Sequence, residues 1–301
     1  MPEIQRSVPN ERPENEPTEL TVLGISNDFK HRPEDQIMNT DCRICNARAD
    51  SFAHATILNR HEIEYFRCRD CEFIQTETPY WLDEAYADAI VSTDVGLISR
   101  NEKVASIVDR TLKYIYPGAK RTVDYGGGYG MLTRMLRDRG HDCSIYDPYC
   151  DNLFAAGFEA KLDQERFELL TAFEVFEHLA EPHKDLQILD RMADHWLIST
   201  ELVPHPAPQP NEWWYYVLDG GQHVSLWSVR ALQAVASQYK RQLVTTRRGI
   251  HLLSAEPIRS RWATYLLKDR SARLLDRFRR RPSLLQADFR SAVAECKRRA
   301  A

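Results

Sequence analysis

Residues 124 to 130 read Asp-Tyr-Gly-Gly-Gly-Tyr-Gly, four glycines within five positions. Glycine lets a backbone turn tightly and lets a ligand approach it closely. Before this stretch, RTVDY reads as a strand; after it, MLTRMLRDRG reads as a helix closed by Gly140. A helix begun there turns its free N–H groups and partial positive charge toward whatever the loop holds. The spacing excludes two common nucleotide loops. A dinucleotide fingerprint starting at Gly126 requires glycine at 131, where Met131 stands, and the Lys-Ser/Thr of a phosphate-binding P-loop is missing.

The segments that follow alternate between strand and helix. CSIYDP reads as a strand, FELLTAFEVFEHL as a strand running into a helix, and WLISTELV as a strand. A loop rich in Pro and Trp comes next, then SLWSVRALQAVASQY as a helix and QLVTTRRGIHLLS as an antiparallel pair of strands. Strands separated by helices predict an α/β fold with a parallel sheet covered on both faces. Residues 1–36 are acidic and Pro-rich and are expected to be a disordered tail. Residues 37–78 form a cysteine-bearing module, 79–115 a helical linker, 116–256 the α/β domain, and 257–301 an Arg-rich helical segment. Its run RFRRRP suits a solvated helix face or an anionic partner. The net charge of −4 gives no general attraction to nucleic acid. No apolar run reaches the ~18 residues a membrane span needs, and the N-terminus lacks a signal peptide's apolar core, so the expected location is cytoplasmic.

Together these motifs resemble the class I S-adenosylmethionine-dependent methyltransferases over residues 116–256. The match rests on the 124–130 loop, on Asp147 at the end of the next strand, and on FEVFEHLAEP at 173–182. The resemblance implies a seven-stranded, Rossmann-like sheet. It also implies cofactor binding through Asp124, Tyr125, Gly126, Gly128, Asp147 and Glu174. Asp147 suits a ribose diol, because a carboxylate has two accepting oxygens. Glu174 either closes the cofactor pocket or favours a helix dipole.

Cys42 and Cys45 form one C-x-x-C pair and Cys68 and Cys71 another, 22 residues apart. Four thiolates so spaced can surround Zn²⁺ tetrahedrally, a closed and therefore structural site. A module of ~40 residues has little core of its own to fold on. A zinc ribbon before such a domain resembles the zinc-containing sugar methyltransferases, which implies a sugar or sugar nucleotide as acceptor. In that family an E-H-x-S-Y/F loop carries the catalytic base. Here Gln222-His223-Val224-Ser225-Leu226-Trp227 keeps His and Ser, replaces the Glu, and displaces the aromatic by one residue. The resemblance makes His223 the general base and His178 its competitor. Trp213 to Tyr216 either wall an acceptor or pack under their loop, and Tyr80 and Tyr86 are candidates to reach the pocket. Two other functions fit the same motifs: an RNA-base methyltransferase gripping RNA with the ribbon, and a cofactor-binding module without turnover. Five arginines nearly cancelled by four acids over 42–71 weaken the RNA reading.

Overall fold

In the computed structural model the described residues are 40–86, 96–162, 164–268, 275 and 281–300. The expected disordered tail and most of the RFRRRP run lie outside them.

The chain begins with an antiparallel sheet: β1 (Thr40–Asp41), β2 (Arg48–Ile57), β3 (His61–Cys68) and β4 (Ile74–Thr76). Alternation along β2 turns Ala49, Ala53 and Ile57 inward, and one register shift falls between Ser51 and Ala53. Then come α1 (Leu82–Ala85) and α2 (Leu97–Arg110), which widens into one further turn over Thr111–Ile115. The β/α alternation follows as expected: β5 (Arg121–Tyr125), α3 (Met131–Asp138), β6 (Asp142–Tyr146), β7 (Phe167–Ala172), α4 (Pro182–Met192) and β8 (Ala193–Ser199). The chain continues with β9 (Ser225–Leu226), α5 (Val229–Gln238), β10 (Gln242–Thr245), β11 (Ile250–Ser254), α6 (Ser260–Leu267) and α7 (Leu285–Ala300).

The second sheet has the order β10-β11-β8-β7-β5-β6. Its central strands are parallel, and β11 runs antiparallel to both of its neighbours. Val123, Leu169, Leu170, Leu197 and Leu252 are fully buried, as a sheet covered on both faces requires. After β5 the chain goes to β6 on one side and returns to β7 on the other. That reversal opens a crevice at the carboxyl ends of β5 and β7, and the glycine loop lies there.

Three sequence expectations are corrected. Among the described residues the sheet has six strands, not seven; beyond β6 there is only a single parallel bridge, Ile145 to Glu159. FEVFEHL is not a continuation into a long helix but a short 3-10 turn, Phe176–His178, with α4 starting at Pro182. SLWSVRALQ starts as a strand: Ser225 and Leu226 pair with Gln75 and Ile74 of β4, and Ser228 caps α5 by accepting from Ala231 N–H at 2.9 Å.

β9 joins the two sheets' territories. Trp227, completely buried, donates its indole N–H to the Phe176 carbonyl at 2.8 Å and packs against Phe73 and Phe176 at ring separations of 5.0 and 5.1 Å. Ser228 also donates to the Cys71 carbonyl. The cysteine module and the α/β sheet therefore share one core, in which Cys42, Cys68, Phe73, Trp227, Leu170 and Ile198 belong to one cluster. At the far end, Asp288 of α7 takes a two-pronged bond from Arg137, both at 2.9 Å, so the C-terminal helix is tied to α3. Replacing Trp227 by Ala should cost about 3–5 kcal/mol, the usual range for emptying a buried aromatic site. Chemical denaturation monitored by circular dichroism measures it, and a loss below about 1 kcal/mol would show that the shared core is not carried by this ring.

Candidate active site

The loop after β5 is held in a shape that only glycine adopts easily. Gly126, Gly128 and Gly130 have φ of 68°, 57° and 84°. A methyl group on Gly126 would strike Val175 at 2.6 Å, and one on Gly130 would strike Asn152 at 2.4 Å. At Gly128 it would meet nothing within 4 Å, so that side of the loop is open. Gly126 N–H donates to the Tyr146 carbonyl at 2.8 Å, and Gly128 N–H to Asp147 Oδ2 at 2.8 Å. The other oxygen of Asp147 accepts from Tyr149 and Cys150 N–H at 2.8 and 3.0 Å. Asp147 thus fastens the two loops that line the crevice. It is partly exposed, and each carboxylate oxygen retains capacity for a further donor.

Asp124 is buried at the end of β5. Its Oδ1 accepts from Thr171 at 2.7 Å, and its Oδ2 has no partner. Burial pushes its pKa up to about 7, against the hydrogen bond from Thr171, with the negative charge of Asp147 adding to the rise. Tyr125 turns its ring into the sheet face, stacked on Tyr146 with its hydroxyl on Asp185 at 3.1 Å, so only its backbone belongs to the loop. Glu174 lies on the rim with φ of 55°; its N–H donates to Ser199 Oγ at 2.8 Å, and that hydroxyl donates back to its carboxylate at 2.5 Å.

His178 and His223, 45 positions apart in sequence, meet with ring centres 4.9 Å apart at a near-perpendicular angle. The cause is a run of bonds between residues 176–179 and 222–227. Val224 N–H donates to the Glu177 carbonyl at 2.9 Å, Ser225 Oγ to the Leu179 carbonyl at 2.6 Å, and Trp227 to the Phe176 carbonyl. His223 Nδ1 lies 2.6 Å from the Tyr215 carbonyl, and His178 Nδ1 lies 3.2 Å from the Gln222 carbonyl. A carbonyl only accepts, so the His223 contact places its proton on Nδ1 and leaves its Nε2 lone pair free, while His178 Nδ1 is shared between the Gln222 carbonyl and the Tyr86 hydroxyl at 3.0 Å. Burial lowers the pKa of His223 to about 4, and burial together with His223 lowers that of His178 to about 3. Both rings are accordingly neutral at neutral pH.

Sequence reasoning singled out neither Glu177 nor Tyr149. Glu177 is completely buried, and neither carboxylate oxygen has a hydrogen-bond partner of normal geometry. Burial and the neighbouring Glu174 raise its pKa to about 8, against a weaker pull from the nearby hydroxyls of Tyr215 and Thr200, which bond to each other at 3.2 Å. Its sequence signal was its place in the FEVFEHLAEP segment, beside His178. Tyr86 does reach the pocket: its hydroxyl is 3.0 Å from His178 Nδ1, and its ring stacks on Tyr149 at 6.4 Å with an 11° tilt. Tyr80 instead packs on His61 and Trp81. Tyr215 and Tyr216 pack under their loop, one of the two expected roles, while Trp214 is 72% exposed. Asp147, Tyr149, Tyr86, His178 and His223 therefore form a continuous line of contacts from the glycine loop to the imidazole pair.

The four module cysteines converge, with Sγ atoms within 4.8 Å of one another and two pairs, Cys42–Cys71 and Cys45–Cys68, at 3.5 Å. Tetrahedral bonds of about 2.3 Å to a common ion put sulfurs roughly 3.8 Å apart, so the donor set and spacing fit zinc. Each C-x-x-C pair is followed by a residue in the left-handed conformation, Asn46 at φ 58° and Glu72 at φ 60°. Backbone N–H groups of Ile44 and Cys71 point at Cys42 and Cys68 sulfurs at 3.4 Å.

Residues 98–245 match the family described as methyltransferase domain. Among solved structures, the chain is similar to an O-methyltransferase family protein from Burkholderia thailandensis, at 12% identity over 60% of this chain and 65% of that one, TM-score 0.42. It is similar also to human N-acetylserotonin methyltransferase in complex with SAM (13% identity, 59% of this chain, 66% of that one, TM-score 0.37). A third is the magnesium protoporphyrin IX methyltransferase of Synechocystis PCC 6803 with bound SAH (15% identity, 57% and 90%, TM-score 0.37). The chain spans somewhat less than two thirds of the first two proteins' lengths. No curated protein sequence matches it.

Asp147→Ala should release the backbone N–H groups of Gly128, Tyr149 and Cys150 from their acceptor. Hydrogen exchange with mass-spectrometric readout should show these amides exchanging faster than in the parent, with the β2–β3 hairpin unchanged. Equal protection in both would mean that the loops hold themselves.

Proposed function

We propose that the protein is an S-adenosylmethionine-dependent methyltransferase acting on a small-molecule acceptor, a sugar or sugar nucleotide, in the cytoplasm. The observation that carries this reading is the line of contacts from the glycine loop through Asp147, Tyr149 and Tyr86 to His178 and His223. It sets a place for the cofactor beside a place for proton chemistry. The open face at Gly128 and the unpartnered oxygen of Asp124 suit an amino-acid-bearing nucleoside, and Asp147 has lone pairs left for ribose hydroxyls. When bound, S-adenosylmethionine supplies an electrophilic methyl group on a sulfonium. The loop and Asp147 fix the cofactor, and Glu174 closes its rim. His223 offers Nε2 to the acceptor's hydroxyl, with His178 behind it. The exposed faces of Tyr86, Tyr149 and Trp214, at 43%, 89% and 72%, suit the C–H faces of a sugar ring. Residues 37–78 are a zinc ribbon whose metal is structural, held by Cys42, Cys45, Cys68 and Cys71.

Calorimetric titration with S-adenosylmethionine, paired with a methyl-transfer assay on sugar nucleotides, tests the reading. His223→Ala should leave cofactor affinity nearly unchanged and cut turnover by about 10²–10⁴. A variant keeping more than roughly a tenth of the parent's turnover would remove His223 from the chemistry. Elemental analysis of protein purified without added metal should find about one zinc per chain. Less than about a third of an equivalent, with all four thiols titrating freely, would leave the ribbon without its metal.

A further inference from the structure

The Glu177 carboxylate is an oddity that methyl transfer by an imidazole base leaves unexplained. It is completely buried and has no cationic partner among the described residues, only the nearby Tyr215 and Thr200 hydroxyls, whereas buried carboxylates are ordinarily paired or fully hydrogen-bonded. A ring nitrogen of His178, a ring nitrogen of His223 and an oxygen of Glu177 lie within 4.8 Å of one another. Both histidines are held through Nδ1, His223 by the Tyr215 carbonyl and His178 by the Tyr86 hydroxyl and the Gln222 carbonyl. That is the arrangement by which proteins fix an imidazole's tautomer and aim its other nitrogen at a metal ion. Glu174 stands on the rim beside them, so the pocket holds two carboxylates and no Lys or Arg is hydrogen-bonded to either among the described residues.

We infer that Glu177, His178 and His223 form a second metal site, one for a divalent first-row transition ion, separate from the cysteine cluster. Bonds of about 2.0–2.2 Å to a shared ion place ligand atoms roughly 3–4.4 Å apart, which the cluster reaches with small side-chain movements. The donor types divide the metals between the two sites. Four thiolates select zinc, whereas two imidazoles and a carboxylate, with positions left open, suit Mn²⁺ or Fe²⁺. The ion supplies the positive partner that the buried carboxylate lacks, and it leaves coordination positions for an acceptor.

The inference deepens the proposed function and rests on it only for what the ion does there. In the loaded site the lone pair of His223 goes to the ion, and the acceptor's hydroxyl binds at an open position. Coordination lowers the hydroxyl's pKa, and its proton leaves to water. The oxygen then uses a lone pair to form the O–CH₃ bond while the S–CH₃ bond breaks. Its electron pair returns to sulfur, giving a methyl ether and S-adenosylhomocysteine.

The test uses the full-length, zinc-loaded protein titrated with Mn²⁺, following loss of the free-ion electron paramagnetic resonance signal. About one equivalent should bind, and the bound ion's spin echo should carry modulation from imidazole nitrogen. Glu177→Gln and His223→Gln should each weaken binding at least about tenfold while zinc content stays at the parent's level. The nitrogen modulation is read on the unmodified chain, so the inference stays testable if a variant fails to fold. No loss of free signal, a bound ion without nitrogen coupling, or folded variants binding as tightly as the parent would each overturn the site. Methyl transfer that needs added Mn²⁺ after mild chelation, with zinc retained, supports the ion's part in the reaction. Full turnover without it overturns that part. Turnover in a protein that binds no Mn²⁺, lost in His223→Ala, leaves the methyltransferase reading intact and the metal refuted.

Discussion

The short run from Gln222 to Ser228 is stitched along both of its edges, and the candidate site depends on that. On one side β9 pairs with β4, the last strand of the cysteine module. On the other, Val224, Ser225 and Trp227 bond to Glu177, Leu179 and Phe176. Hydrogen bonds made by buried groups such as Val224 N–H, Ser225 Oγ and the Trp227 indole cannot be exchanged for bonds to water, so leaving one unmade costs more than making it gains. His223 therefore sits in a segment with little freedom to shift. The module that looks like an attachment in the sequence is one wall of the clamp that sets this histidine against His178.

The same enclosure governs the electrostatics. Asp124 and Glu177 are both carboxyl groups buried without a full set of partners, and burial raises both toward neutral pH. The two histidines are pushed the opposite way by the same loss of solvent. Asp124, Glu177, His178 and His223 are thus each biased toward their neutral forms, the kind of perturbation that gathers at functional sites.

The chemistry carried by contiguous residues was legible in the sequence. The 124–130 loop, Asp147 at a strand end and the paired cysteines depend on spacings of a few residues, and the structure brings each group together. Features that depend on distant partners were not legible. SLW read as the start of a helix because Ser225 and Leu226 are made into a strand by Ile74 and Gln75, about 150 positions earlier. Glu177 stood inside the matched FEVFEHLAEP segment but its burial was not legible, since burial is a property of the whole fold and FEVFEHL shows the same letters whichever way the side chain faces. The expected seventh strand came from resemblance alone. Among the described residues, Glu159 makes a single bridge to Ile145 where a further strand would lie beside β6.

The pairing of β4 with β9 also sets an order of events when the chain is made. Ile74 meets Leu226, and Ser228 meets the Cys71 carbonyl across 157 positions. Contacts this far apart close late, because the entropy of the intervening loop opposes them until other structure has shortened it. As the chain leaves the ribosome, β2 and β3 can form their hairpin at once. Phe73 and the open edge of β4 must then wait, uncovered, until the α/β sheet has been synthesised and Trp227 arrives. The front of this protein is completed by its back, so a chain cut short before residue 225 would keep an unsatisfied strand edge, the feature by which nascent chains pair with the wrong partner.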